Sequence, residues 1–202
     1  METQQGYITE EEFWARYGDT KQRVELVDGQ VIPKYGFEGP LSPTNTGHGR
    51  IVMNLLLSLG THVRGRALGD VFADPTAFVI SEVPKRIRCP DVAFVRAERL
   101  PPEYRMDEML RLAPDFVAEV ISPSEPLRSV EKKRAEYLAA GVRLVWQVDP
   151  RDRSVVVYEP DGTGCAHVEG DVVSGGAVVP GYELAVADLF AGVTAGSPRR
   201  RS

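Results

Sequence analysis

The sequence predicts an α/β domain with a mixed β-sheet flanked by helices, and three observations lead there. Residues 115–149 read strand, helix, strand, and a helical crossover of that length joins parallel neighbours. QRVELVDGQVI sets two alternating runs about Asp28-Gly29, a hairpin signal that adds antiparallel pairing. HGRIVMNLLLSLGTHVR spaces apolar residues at 51, 52, 55, 56, 59 and 63, the interval of a long core helix.

The elements follow in order. TEEEFWARY (9–17) predicts a short helix that Thr9 can cap, with three glutamates at its positive end. Residues 35–47, rich in Gly, Pro, Ser and Thr, predict a loop before the helix at 48–64. Residues 69–83 read as extended, RIRCPDVAFV (86–95) as one strand, and 96–113 as a loop with a helical turn. DFVAEVIS (115–122) predicts a buried strand. Residues 124–140 predict a helix with Gly141 after it, and VRLVWQVD (142–149) a further strand. SVVVYEPDG (154–162) follows a turn, and short strands lead to a final turn at ADLF. Residues 1–193 read as a single domain. The tail TAGSPRRRS (194–202) carries no core residue and is expected to be disordered and basic.

Bulk properties narrow the function. A chain of 202 residues, 43% apolar, suits one domain with its own core. Cys89 and Cys165 are far apart and form no CxxC, which fits neither a disulfide framework nor a zinc site. No apolar run approaches the ~20 residues that span a bilayer, so the expectation is a soluble, cytoplasmic protein without membrane partners. A net charge of −5 speaks against a broadly basic nucleic-acid surface but leaves room for a local basic cleft. The basic groups Lys85/Arg86/Arg88, Lys132/Lys133/Arg134 and Arg50/His62/Arg64/Arg66 read first as solvated faces. No GxSxG occurs and neither cysteine has a convincing histidine neighbour, which disfavours a metal-independent hydrolase.

Glu119 is the most informative residue. Alternation puts it on the same face as Val117 and Ile121 of an apolar strand, where an unpaired carboxylate costs several kcal/mol by rough reckoning. A cation or a proton must compensate, unless Glu119 merely ends a strand paired with an arginine. Asp91 follows Pro90 at a strand start, and 27 residues separate it from Glu119. Two carboxylates on adjacent strands can hold Mg²⁺ or Mn²⁺. A lysine is wanted nearby to stabilise the transition state. Lys133 and Tyr137, four apart on the following helix, share a face, whereas Lys132 points about 100° away. The second Pro-Asp, at Asp115, lies roughly 13 Å from Glu119 along the strand at ~3.3 Å per residue and cannot share its metal.

These stretches carry a resemblance. RVELVDGQVI, HGRIVMNLLLSL, CPDVAFV, PDFVAEVISPS, KKRAEYLAAGVRLVWQVDP and PGYELAVADLF stand in the order of the Uma-two family of endonucleases, a branch of the PD-(D/E)XK nucleases. The resemblance implies a restriction-endonuclease-like mixed β-sheet with extra β-hairpins. It also implies a divalent-metal endonuclease acting on DNA, with RNA the other possible substrate, and a homodimer. The family's site residues fall on Asp91, Glu119 and Lys133, with Glu25 in the first hairpin and His48 at the long helix. Asp91 and Glu119 are the implied metal ligands. The chain departs from the pattern at Ser129, where many relatives carry an aspartate one turn before the lysine. That departure, with the acidic net charge, supports an alternative: a degraded nuclease fold serving as a binding or assembly module.

Overall fold

The computed structural model describes residues 7–18, 20, 22–34, 46–105, 108–122 and 125–194. The helices are α1 (Glu10–Tyr17), α2 (Thr46–Gly65), α3 (Leu127–Ala139) and α4 (Val186–Leu189). The strands are β1 (Val24–Val27), β2 (Gln30–Pro33), β3 (Gly69–Ala73), β4 (Phe78–Ser81), β5 (Arg86–Arg88) and β6 (Val92–Arg96), then β7 (Phe116–Val120), β8 (Leu144–Asp149), β9 (Ser154–Tyr158), β10 (Gly164–Val168), β11 (Val172–Ser174) and β12 (Glu183–Ala185). The main sheet runs β10-β9-β8-β7-β6-β3, with β7 and β8 parallel and the other pairs antiparallel. A second sheet runs β2-β1-β5-β4, and β11 pairs with β12. This is the mixed sheet with extra hairpins that the sequence implies.

Local chemistry explains the elements. Thr9 and Glu12 form a reciprocal capping box at α1. Asp28 and Gly29 both take positive φ (52° and 78°), the conformation that lets a two-residue turn match the twist of β1 and β2. β7 is buried on both faces. Phe116, Ala118 and Val120 face Ile51, Leu55 and Leu59 of α2, while Val117 packs beside Tyr137 of α3. Each fully buried leucine or isoleucine there contributes roughly 1.5–3 kcal/mol. By alternation Glu119 lies on the Val117 face, toward α3.

Several boundaries differ from expectation. The stretch 86–95 is two strands: β5 joins the smaller sheet and β6 the main one. Pro90 has no N–H to give a ladder, so the chain can leave one sheet and enter the other there. Residues 69–83 likewise divide into β3 and β4, in different sheets. α2 begins at Thr46, two residues earlier than expected, so His48 lies in its first turn rather than at its first position. α3 begins at Leu127, after Pro126, which starts a helix without needing a donor of its own. Of the loop expected at 35–47, residues 46–47 belong to α2 and 35–45 lie outside the described residues, as do 123–124 and the expected disordered tail from 195 onward.

Candidate active site

Val92 pairs with Ala118 in the β6–β7 ladder. One further step of that register sets Asp91 across from Glu119, roughly 5 Å between Cα atoms for antiparallel partners. Asp91 closes the ladder with its side chain: Oδ2 accepts the Val120 N–H at 2.9 Å. It is 1% exposed. Lys34, at the end of the β1–β2 hairpin, donates to Asp91 Oδ1 at 2.9 Å and to Asp74 Oδ1 at 2.6 Å. His48 Nε2 lies 3.5 Å from Asp91 Oδ2. Burial alone would raise the Asp91 carboxyl, but Lys34 and the His48 contact outweigh it and hold the group well below the usual carboxylate range.

α3 supplies the other half. Tyr137 donates its hydroxyl to Glu119 Oε1 at 2.7 Å, and Lys133 Nζ stands 4.0 Å from Glu119 Oε2. Lys133 also pairs with Glu125 at 2.9 Å and donates to the Lys34 carbonyl at 3.3 Å. Helix lysines are solvated by default, yet Lys133 is buried, while Lys132, one position along, is exposed. Burial pushes Glu119 up to about 7, helped by the Asp91 charge and opposed by Lys133 and Lys34. Burial disfavours a charged Lys133, but Glu119, Glu25 and Glu125 reverse that and raise it, so its ammonium persists.

Glu25 is fully buried in a neighbouring cluster. Its two oxygens are taken by Arg88 at 2.6 Å and by the Cys89 N–H at 3.0 Å, and Arg88 also binds Glu136. It acts on Lys133 and Lys34 through charge, without a direct contact among those resolved. The structure thus brings Asp91, Glu119, Lys133 and His48 to one corner and leaves Glu25 behind it on an arginine. Of the basic cluster at 85–88, Arg88 is buried and ion-paired. Lys85 pairs with Glu10 and Glu82, and Arg86 with Asp28. None is a solvated face free of partners.

Four site neighbours escaped the sequence reading: Lys34, Asp74, Glu125 and Gln147. Gln147 lies beside Glu119 in the parallel β7–β8 pair and donates to the Val130 carbonyl at 3.1 Å. Ser129 donates to Glu125 Oε1 at 3.2 Å. Glu125, Ser129 and Lys133 are spaced four apart, and that spacing was the available signal. A cavity of about 10 Å³ opens among Glu119, Glu125, Lys133, Tyr137 and Gln147, the scale of one water. A larger one, about 1270 Å³, lies between α1 and residues 99–105 and 108–112 and includes none of these side chains.

A family model described as "Putative restriction endonuclease", Uma2, matches residues 10–187. The chain belongs to the Uma2 family. Among solved structures, a putative nuclease of DUF820 from Anabaena variabilis superposes with a TM-score of 0.76, covering 91% of this chain and 97% of its own at 22% identity. That likeness shows the fold: a restriction-endonuclease-like α/β architecture. None of the curated proteins matches the chain. In this Uma2 protein no group of three or more His, Cys, Asp or Glu among the described residues is arranged to hold a metal. The donor chemistry nonetheless fits a hard divalent cation. Asp91 and Glu119 are both buried at one end of the β6–β7 pair, the Asp91 charge is felt at Glu119, and Glu119 has no arginine partner among its resolved contacts. No described helix is long and apolar enough to cross a membrane.

Proposed function

We propose that this Uma2 protein is a divalent-metal-dependent endonuclease that hydrolyses phosphodiester bonds of DNA, with Asp91 and Glu119 holding Mg²⁺ or Mn²⁺. The observation that carries the reading is the convergence of Asp91, Glu119 and Lys133 at one end of β6 and β7. The chemistry such an ion supplies is neutralisation of phosphodiester charge and acidification of a water. The protein residues do the rest. Tyr137 fixes one oxygen of Glu119, leaving the other turned toward Lys133. Lys133, kept cationic by the surrounding carboxylates, offers positive charge to the phosphate oxygens as negative charge accumulates. Glu125 holds that ammonium in place from the helix entrance. His48 stands beside Asp91, where it can meet a phosphate or a leaving oxygen. Glu25 adds negative potential from behind. A homodimer would let two copies cut two strands.

Supercoiled plasmid incubated with Mn²⁺ or Mg²⁺ tests this. Nicked and linear products should form with the wild type and be absent with Asp91→Ala and Glu119→Ala. Metal-independent cleavage, or cleavage by both variants at the wild-type rate, overturns it. Cleavage of RNA alone would move the substrate and leave the site. One observation favours a second reading, a binding or assembly module on a nuclease fold: a lysine ammonium already occupies one oxygen of Asp91.

A further inference from the structure

Lys34 is absent from the chemistry assigned above, yet it is among the most deeply placed cations of the site. Its side chain is 1% exposed. Its ammonium sits between Asp91 Oδ1 and Asp74 Oδ1, at 2.9 and 2.6 Å. Its backbone is anchored as well: the N–H bonds the Arg23 carbonyl at 3.0 Å, and the carbonyl accepts from Lys133. A lysine buried to this degree is stable only with its charge matched, and two carboxylates match it here. The buried corner holds more acids than lysines. Asp74, Asp91, Glu119 and Glu125 face Lys34 and Lys133, with Arg23 reaching Asp74 from the more exposed side.

We propose that Lys34 is an internal cation that competes with a divalent metal for Asp91 and so sets the metal affinity of the site. This rests on Asp91 and Glu119 being metal ligands. A divalent ion on Asp91 meets the positive charge of Lys34 within a few ångströms, in a region where water screens little. Either the ammonium turns toward Asp74, which already holds it, or the ion binds weakly. Asp74 is thereby the residue onto which Lys34 retreats. The arrangement keeps the carboxylate compensated when no metal is bound and exacts a fixed penalty from any metal that enters. Lys34 is in this sense a positioning residue, acting on Asp91 rather than on substrate.

Isothermal titration of Mn²⁺ into the full chain tests the inference without reference to cleavage. Wild type, Lys34→Met, Lys34→Gln and the double variant Lys34→Met/Asp91→Ala are compared. Lys34→Met should bind one Mn²⁺ at least about tenfold more tightly than wild type, and the double variant should lose that site. Removing the ammonium leaves two carboxylates buried, so Lys34→Met should also melt lower than wild type without metal and regain more temperature than wild type on adding Mn²⁺. If it is too unstable to titrate, Lys34→Gln, which keeps a donor but no charge, should show the same direction of change. Equal Mn²⁺ affinity in wild type and both Lys34 variants, with binding lost in the double variant, overturns the role of Lys34 and leaves the metal site standing. Failure of every protein, Lys34 variants included, to bind Mn²⁺ overturns the metal site and this inference with it.

Discussion

The strands β6 and β7 carry a Pro-Asp pair at each end, and the two ends are built alike. Asp91 accepts the N–H of Val120 on the neighbouring strand, and Asp115 accepts that of Arg96. Both are nearly inaccessible, at 1% and 2%. The backbone task is the same: a short acid after a proline takes the N–H that the ladder no longer reaches. The surroundings differ. Asp115 rests on Arg99 at 2.8 Å, a half-exposed guanidinium with no second acid in contact with it among the resolved pairs. Asp91 contacts Lys34 and His48, its charge acts on Glu119, and Lys133 stands beside Glu119. A Pro-Asp pair is therefore a strand-ending device. What makes one end a candidate catalytic site is the second carboxylate and the buried lysines beside it.

The largest expected contrast is catalytic. Asp91→Ala should lower Mn²⁺-dependent plasmid cleavage by at least about a hundredfold, while Asp115→Ala should stay within about threefold once folded protein is counted. Asp115→Ala should instead lose about 1–3 kcal/mol in urea unfolding, the cost of leaving a buried N–H and Arg99 without their partner. Equal loss of cleavage in both variants would erase the distinction between the two ends. Next in size, Lys133→Met should slow cleavage by about 10²–10³-fold with little change in Mn²⁺ affinity. Glu125→Gln, which only loosens Lys133, should cost about tenfold. A Glu125→Gln defect as deep as that of Lys133→Met would mean that Glu125 meets the reacting groups itself.

The Asp91 end should also announce itself in pH dependence. In the metal-free protein burial puts Glu119 at about 7, above the 4.5 of an exposed glutamate. The folded chain then holds more protons there than the unfolded chain, so stability from this group falls as pH rises from about 4.5 through about 7. Asp91, depressed by Lys34, has the opposite sign: its contribution is present above 3.8 and is lost as pH falls below that value. Urea unfolding at pH 5 and pH 8 should show Glu119→Gln gaining on wild type at the higher pH. A gap that does not change with pH would place Glu119 outside a dry site. The smallest effect belongs to the other end: Arg99→Ala should cost no more than about 1 kcal/mol, since Arg99 is itself well exposed and Arg96 still stands 4.0 Å from the Asp115 carboxylate.

Much of this was legible from residue order. The apolar run around Glu119 betrayed a carboxylate in the wrong solvent, and the length of the 115–149 crossover required parallel β7 and β8. The pairing of Asp91 with Glu119 was not a local signal; it needed the family order of motifs and is carried structurally by the β6–β7 register. The division of 86–95 was hidden because RIR and VAFV both read as strand, and only the sheet each joins separates them. Lys34 was invisible for another reason. At the end of a hairpin a lysine reads as solvated, and its partners Asp74, Asp91 and Lys133 come from distant parts of the chain. Glu125 lay inside the helix expected at 124–140, but an acid near a helix start reads as solvated until Lys133 is seen to turn inward.

The most direct test is anomalous diffraction from crystals of the wild-type chain saturated with Mn²⁺. The account predicts one manganese peak within about 2.5 Å of a carboxylate oxygen from each of Asp91 and Glu119, with the Lys34 ammonium moved off Asp91 toward Asp74. Saturating Mn²⁺ that leaves this corner without a peak, with Lys34 still bound to Asp91, would contradict it.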